Sequence, residues 1–474
     1  MSLETRKRVQ EIRSRLDHPV VDSDGHCIEY LPAVRDRVRE LAGESVLGRL
    51  ENVFQSGAVS RRMPDEKRRE LGMMRMPFWG LPARNTRDRA TAMLPELLYE
   101  RLPELGLDFA VVYPTYALVA LHLDEDEVRQ AACRAFNEYM AEAYRPYADR
   151  IAPVATIPMQ TPQEALAELD HAVGTLGLRV CMLGGFAMRP VPGADVRGAR
   201  WIDTFGRDSA FDYDPVWARC VELGIAPTFH STGMGWGSRA SLHSYVHNHI
   251  GNFAAAGEAT CRGLFLDGVP WRFPELRFAF LEGGVGWAAN LYADLIGHWE
   301  KRNREHISHY DPANLDRDEL RSLFERHAPK LIAERLDRLD ESLAFLSDPE
   351  EDRSSVDEFA RCRIESADDI RQVFERFHFG CEADDPINAL AFDARKSPGG
   401  LRLKAIFSSD IGHWDVPDMN EVLLEAWELV EQGLVSEEDF RDFTFANPVS
   451  LWRGAREDFF AGTAIEREVA EIPG

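Results

Sequence analysis

Residues 20–26 read Val-Val-Asp-Ser-Asp-Gly-His, and three later stretches follow the same plan. They are Ala-Pro-Thr-Phe-His ending at His230, Phe-Ala-Phe-Leu-Glu-Gly-Gly containing Glu282, and Ala-Ile-Phe-Ser-Ser-Asp ending at Asp410. In each, a short apolar run suited to a buried strand ends in acidic or imidazole side chains, where strand gives way to loop. A closed barrel of parallel strands brings such positions together on one face, and that face carries the sites of the fold. Carboxylates and imidazoles gathered away from water repel one another and lose hydration unless a cation joins them. The pattern therefore predicts a metal centre built from Asp24, His26, His230, Glu282 and Asp410. Alternation along an extended strand would put Asp22, Asp24 and His26 on one face, with the last two gripping one ion. Asp410 and Glu282 could also accept a proton, and His413 could orient Asp410 or carry a proton.

Outward from these motifs, strand-like runs fall near 19–24, 108–113, 151–157, 179–184, 225–230, 277–282, 376–382 and 403–409. Eight is the number that closes a (β/α)8 TIM barrel. Helical spacing of apolar residues marks 124–148, 161–176, 214–223 and 416–432. The whole chain, 1–474, is expected to form one metal-dependent barrel domain. Two gaps exceed a simple strand–helix unit: an insertion at 30–106 after the first strand, and a charged, helical one at 288–375 after the sixth. The second suggests a contact between copies of the chain.

With 55 basic and 80 acidic residues, the net charge of −25 argues against nucleic acid or an anionic membrane as partner. The seven cysteines are scattered, odd in number and without a Cys-x-x-Cys pair, as expected of reduced thiols in a cytoplasmic protein. The N-terminal residues alternate charge at helical spacing and lack the apolar core of a signal peptide. No phosphate-cradling glycine loop is present.

Three further groups are candidates. Between 61 and 93 lie nine basic residues against four acidic ones, and five of the twelve methionines. Arg68, Arg69 and Arg75 could meet an anionic group, and Met74 and Trp79 an apolar one, at the barrel mouth. Alternatively, the arginines pair with carboxylates and the methionines fill core. His243, His247 and His249 follow the fifth strand, the first two at one-turn spacing, and could hold a second ion or simply lie on the surface. Tyr113, Thr115, His378 and Glu382 lie near strand ends as satellites.

These residues resemble the amidohydrolase superfamily, in its branch of metal-dependent decarboxylases and hydrolases. The likeness rests on Asp24-Gly-His26, His230, Arg-Phe-Pro-Glu-Leu-Arg at 272–277, Ser409-Asp410 and Asn447-Pro, and spans nearly the whole chain. It implies a barrel with a mono- or dinuclear site whose ligands are Asp24, His26, His230 and Asp410. The family commonly carries His-x-His on strand one and His-Gly-Gly on strand six, where this chain has Asp24-Gly-His26 and Glu282-Gly-Gly. The exchange makes the site harder, suited to iron or manganese rather than zinc alone. With residues 248–250 and 280–287, it is similar to the TIM-barrel nonheme diiron monooxygenases, typified by a diterpenoid hydroxylase of platensimycin and platencin biosynthesis. That likeness implies two irons, dioxygen, an electron donor and an apolar, coenzyme A-linked acid as substrate. The alternative is a hydrolase or decarboxylase using zinc or manganese on a small molecule.

Overall fold

The computed structural model describes residues 3–77, 81–193, 199–344 and 356–472. Eight parallel strands form the barrel: β1 (Val21–Cys27), β2 (Phe109–Pro114), β3 (Ile151–Ile157), β4 (Val180–Leu183), β7 (Pro227–Phe229), β8 (Phe278–Phe280), β9 (Phe377–Glu382) and β10 (Lys404–Ser408). All eight runs expected from sequence are present, with ends shifted by a few residues. The sheet closes through main-chain bonds just beyond β10: Asp410 N donates to Asp24 O (3.0 Å), and His26 N donates to Ile411 O (2.7 Å).

The strands are buried almost throughout, as they must be when helices cover one side and the barrel interior the other. Alternate residues divide between the two sides. On β2, Phe109, Val111 and Tyr113 belong to one packed cluster, and Ala110 and Val112 to the other. Tyr113 marks the inner side, because its hydroxyl donates across the barrel to Thr228 Oγ1 at 3.0 Å.

Helix Asp214–Leu223 falls where its periodicity predicted, and the expected 124–148 helix spans Asp126–Tyr144. Helices 161–176 and 416–432 are shorter, Pro162–Leu169 and Val422–Glu431, each flanked by a wider or tighter turn. The antiparallel hairpin of β5 (Ala187–Pro190) and β6 (Arg200–Asp203) was not expected. Its strands of four residues carry too little alternation to register in sequence.

After β1 the chain runs through helices Leu31–Arg62, Asp65–Leu71, Thr86–Thr91 and Pro95–Leu105 before reaching β2. After β8, Gly286–Arg302 and Ala367–Phe374 are the helices that flank the barrel, so the excursion proper lies between them. Within it, helices Arg317–His327 and Lys330–Ala333 bury no residue, and Leu331 and Ile332 are exposed. No helix among the described residues is long and apolar enough to cross a membrane, and all seven cysteines are free.

Candidate metal centre

Asp24, His26, His230, Glu282, Asp410 and His413 meet at the C-terminal mouth of the barrel, and none is more than 8% exposed. They form two overlapping groups that share His26. Asp24, His26 and His230 make one, and His26, Glu282, Asp410 and His413 the other; within each group the ligand atoms lie within 4.8 Å of one another. His26 Nε2 stands 3.7 Å from Asp24 Oδ1 and 3.4 Å from Asp410 Oδ1. His230 Nε2 and Glu282 Oε2 are 2.5 Å apart, and His413 Nδ1 is 3.0 Å from Asp410 Oδ1. The imidazoles of His26 and His413 stack at 4.2 Å, while His230 meets His26 edge-on at 5.0 Å.

Backbone geometry aims these side chains. Glu282 and Asp410 each follow a strand and adopt left-handed conformations, with φ of 58° and 50°. That region is unfavourable for a residue with a β-carbon and tends to persist at functional sites. In β1 the register slips between Asp22 and Gly25, so strict alternation fails. Asp24 and His26 reach the cluster, but Asp22 turns toward β10 and accepts hydrogen bonds from Ser409 N (3.0 Å), Ser409 Oγ (2.5 Å) and Asp24 N (3.2 Å). Gly412 is required close by: its φ is 85°, and a β-carbon there would stand 2.4 Å from the His26 carbonyl oxygen.

The electrostatics without a cation are those of a site out of balance. Burial, and then Glu282 and Asp410 against the pull of His230, holds the Asp24 carboxyl well above its usual range. Asp410 is likewise raised by burial, Glu282 and Asp415. Burial drives His26 well below its ordinary value and takes His413 down to about 4. His230 goes the other way, to about 9, because Glu282 and Asp24 outweigh its burial. Its charge in turn keeps Glu282 ionised despite burial. A single His230–Glu282 ion pair is thus what the group can sustain alone.

Several donor atoms are buried with no well-angled hydrogen bond: Asp24 Oδ1, both ring nitrogens of His26 and of His413, and Asp410 Oδ1. Buried polar atoms ordinarily find partners. Three carboxylates and three imidazoles fit one or two divalent cations, which would bring Asp24, Asp410 and His230 back down and hold His26, His413 and Glu282 down further, leaving every group in its ligating form.

The other sequence candidates separate. His243 is exposed, its Nδ1 2.8 Å from Asp65 Oδ2 and its Nε2 3.3 Å from Arg69. His247 is also exposed. Neither enters the cluster, because the helix here, Tyr245–His249, is only five residues long and His243 precedes its capping Ser244. His249 stands within electrostatic reach of Glu282 and helps keep it ionised. Its ring packs between Tyr245 (5.1 Å) and Phe253 (5.8 Å), and Phe253 leans on His230 at 5.4 Å. Phe253 carried no sequence signal beyond its aromatic nature.

The insertion seals the fifth-strand loop. Arg75 N donates to Ser241 O (2.8 Å), Asn248 Nδ2 donates to Arg75 O (3.3 Å), and Met74 Sδ packs against Gly235. Arg68 is no substrate group here: it is fully buried and donates to the carbonyls of Leu242, Ser60 and Met63 and to Asp65. Arg69 lies exposed beside His243 rather than at the cluster. Trp79 lies outside the described residues. Tyr113 lines the inner wall near His26 and His230, with ring separations of 6.1 and 6.0 Å. Thr115 is buried beyond the end of β2, and Glu382 is exposed at the end of β9. His378 is the second residue of β9, at the opposite pole, bonded to Ser450 Oγ at 2.9 Å.

Residues 22–344 match the sequence profile described as amidohydrolase. The chain belongs to the amidohydrolase family. Among solved structures it is similar to an amidohydrolase from Mycobacterium avium subsp. paratuberculosis K-10, with 16% identity over 92% of this chain and 100% of that one, and a TM-score of 0.53. A 5-carboxyvanillate decarboxylase from Sphingomonas paucimobilis aligns at 14% identity over 92% and 99%, TM-score 0.50. A dihydroxybenzoic acid decarboxylase from Polaromonas sp. JS666, solved with bound manganese, aligns at 15% over 94% and 99%, also at 0.50. At such identities the likeness shows the shared barrel fold.

Proposed function

We propose that this amidohydrolase-family chain is a metal-dependent hydrolase or decarboxylase of a small carboxylate- or carbonyl-bearing molecule. The observation that carries the reading is the sealed group of Asp24, His26, His230, Glu282, Asp410 and His413, whose buried donor atoms go unpaired. Asp24, His26 and His230 would hold the first ion, and Glu282, Asp410 and His413 could complete a second position. A bound divalent cation supplies Lewis acidity, polarising a substrate oxygen or acidifying water. Asp410 is the proton carrier: it follows a strand on a strained backbone, 3.0 Å from His413 Nδ1. His413, held neutral by burial, can orient the Asp410 carboxylate. Tyr113 and Phe253 wall the space beside His26 and His230. The named manganese decarboxylase supports this reading by analogy of fold.

A diiron monooxygenase is the second reading, and one feature favours it. The two groups overlap at His26, and Glu282 extends one oxygen to His230 and the other to within 3.9 Å of His413. A carboxylate so placed could span two ions. The comparisons lend this reading no support, and with it goes the coenzyme A-linked substrate, since Arg68 is committed to the fold.

Elemental analysis of the purified protein, followed by anaerobic and aerobic assays with hydroxyaryl carboxylic acids and simple esters or lactones, decides between them. Manganese or zinc with oxygen-independent turnover is expected. Two irons with strictly oxygen-dependent product would replace the first reading by the second.

A further inference from the structure

The carboxylate of Asp22 is fully buried, does not belong to the metal cluster, and yet ties together the two strand ends that deliver Asp24 and Asp410. Every contact it makes is donated to it. Oδ1 accepts from Asp24 N at 3.2 Å and from Ser409 N at 3.0 Å, and Oδ2 accepts from Ser409 Oγ at 2.5 Å. Ser409 Oγ in turn accepts from Ile411 N at 3.2 Å. One carboxylate thus fixes the backbone at Asp24 on β1 and on both sides of Asp410 after β10. The same seam carries the main-chain bonds from Asp410 N to Asp24 O and from His26 N to Ile411 O.

Two features show that the chain is shaped around this group. The β1 register slips between Asp22 and Gly25, which turns Asp22 toward β10. Gly25 leaves it room, since a β-carbon there would come within 2.7 Å of Asp22 Oδ2 and 3.1 Å of Ile411 Cγ1. Between the bonds at Ser409 and Ile411, Asp410 is held in its left-handed conformation, with its carboxylate 3.4 Å from His26 Nε2.

We infer that Asp22, acting through Ser409, is a positioning residue that sets the separation and aim of Asp24 and Asp410 for a divalent cation. The inference rests on the metal-centre reading above. Hydrogen-bonded groups behind ligands commonly change metal affinity ten- to a hundredfold when removed. Asp22→Asn keeps size and shape, and its amide can donate to Ser409 Oγ, so the fold has a route to survive.

The test is equilibrium affinity for manganese(II), by chelator competition on the metal-stripped full-length protein, with the melting temperature of the metal-free form measured beside it. Wild type is expected to retain manganese, Asp24→Asn to lose it, and Asp22→Asn to bind about ten- to a hundredfold more weakly. Ser409→Ala, which leaves the carboxylate in place, should weaken binding less. The double variant should lose less than the sum of the two single losses, because both substitutions break the shared contact between Ser409 Oγ and Asp22 Oδ2. Altered hyperfine lines in the electron paramagnetic resonance spectrum of the bound ion should accompany the loss. Wild-type affinity in Asp22→Asn, with or without a lowered melting temperature, would overturn the inference and leave the metal centre standing. Strictly additive losses in the double variant would also overturn it. If wild type retains none of manganese, zinc or iron, the metal reading is overturned and this inference with it. If Asp22→Asn fails to fold, wild-type affinity in Ser409→Ala overturns the inference, and weakened binding there sustains it.

Discussion

Two regions of this molecule bury charge and treat it oppositely. On the helical layer, Arg129 is wholly enclosed, and its guanidinium donates to Glu164 (2.8 Å), Asp126 (2.6 Å) and the Leu123 carbonyl (2.6 Å). At the barrel mouth, six ionisable groups equally shut away leave donor atoms unpaired and shift one another's protonation in conflicting directions. The difference teaches what each region is for. A structural ion pair is complete in the folded chain, because breaking it would strand a charge. The mouth is incomplete by the same standard and is finished by something the chain does not supply.

That contrast can be broken by experiment. The largest expected effect is on turnover: Asp410→Asn, assayed with the divalent cation in saturating excess because Asp410 also faces the ion, should lower kcat/KM by about 10²–10⁴-fold, as loss of a proton-transferring group does. Activity within a fewfold of wild type in steady-state assays would remove Asp410 from the chemistry. Next comes Arg129→Met, which should cost about 3–5 kcal/mol of stability by leaving the buried Glu164 without its cationic partner. Denaturant unfolding measures it, and a loss below about 1 kcal/mol would erase the distinction between the regions.

Asp24→Asn should then behave in a way no structural ion pair does. Since Asp24 is pushed up in the metal-free state, its ionised form opposes folding at neutral pH. The neutral replacement should stabilise the stripped protein and destabilise the manganese-loaded one relative to wild type. The same sign in both states would contradict the account of the mouth as a site awaiting a cation.

The smallest effect sharpens the boundary between the regions. Glu29, just beyond β1, accepts from Tyr116 N (3.0 Å) and Ala117 N (2.9 Å), yet burial lifts it to about 7. A carboxyl raised above its unfolded value near 4.5 adds stability that is fully present below that pH and is lost as pH rises through about 7. The stability advantage of wild type over Glu29→Gln should therefore shrink by about 1–3 kcal/mol between pH 4.5 and 7. Unfolding curves across that range would refute the assignment if the gap were constant.

Strand ends were legible in sequence because the signal is local. An apolar run followed by Asp, His or Glu needs no partner to be seen, and the fold then collects such ends on one face. That is why Asp24, His26, His230, Glu282 and Asp410 could be named together, with His413 three residues on. What failed depended on neighbours distant in the chain. His243 and His247 have helical spacing, but the chain forms only a five-residue helix there. Arg68 has the charge of a ligand-binding group, and nothing local reveals that carbonyls from Leu242 and Met63 would claim it. Asp22 lies in the most informative motif of all. Its turn toward Ser409 depends on a register slip that strict alternation does not contain.

The left-handed backbone at Glu282 bears on how such a site could change over evolutionary time. Histidine tolerates that conformation better than most residues, and glutamate has no such enrichment. An imidazole would settle into the φ of 58° more easily than the carboxylate now in place. Relaxing the backbone alone would favour Glu282→His, so the carboxylate stands at a conformational cost, and one substitution separates two donor sets on the same barrel.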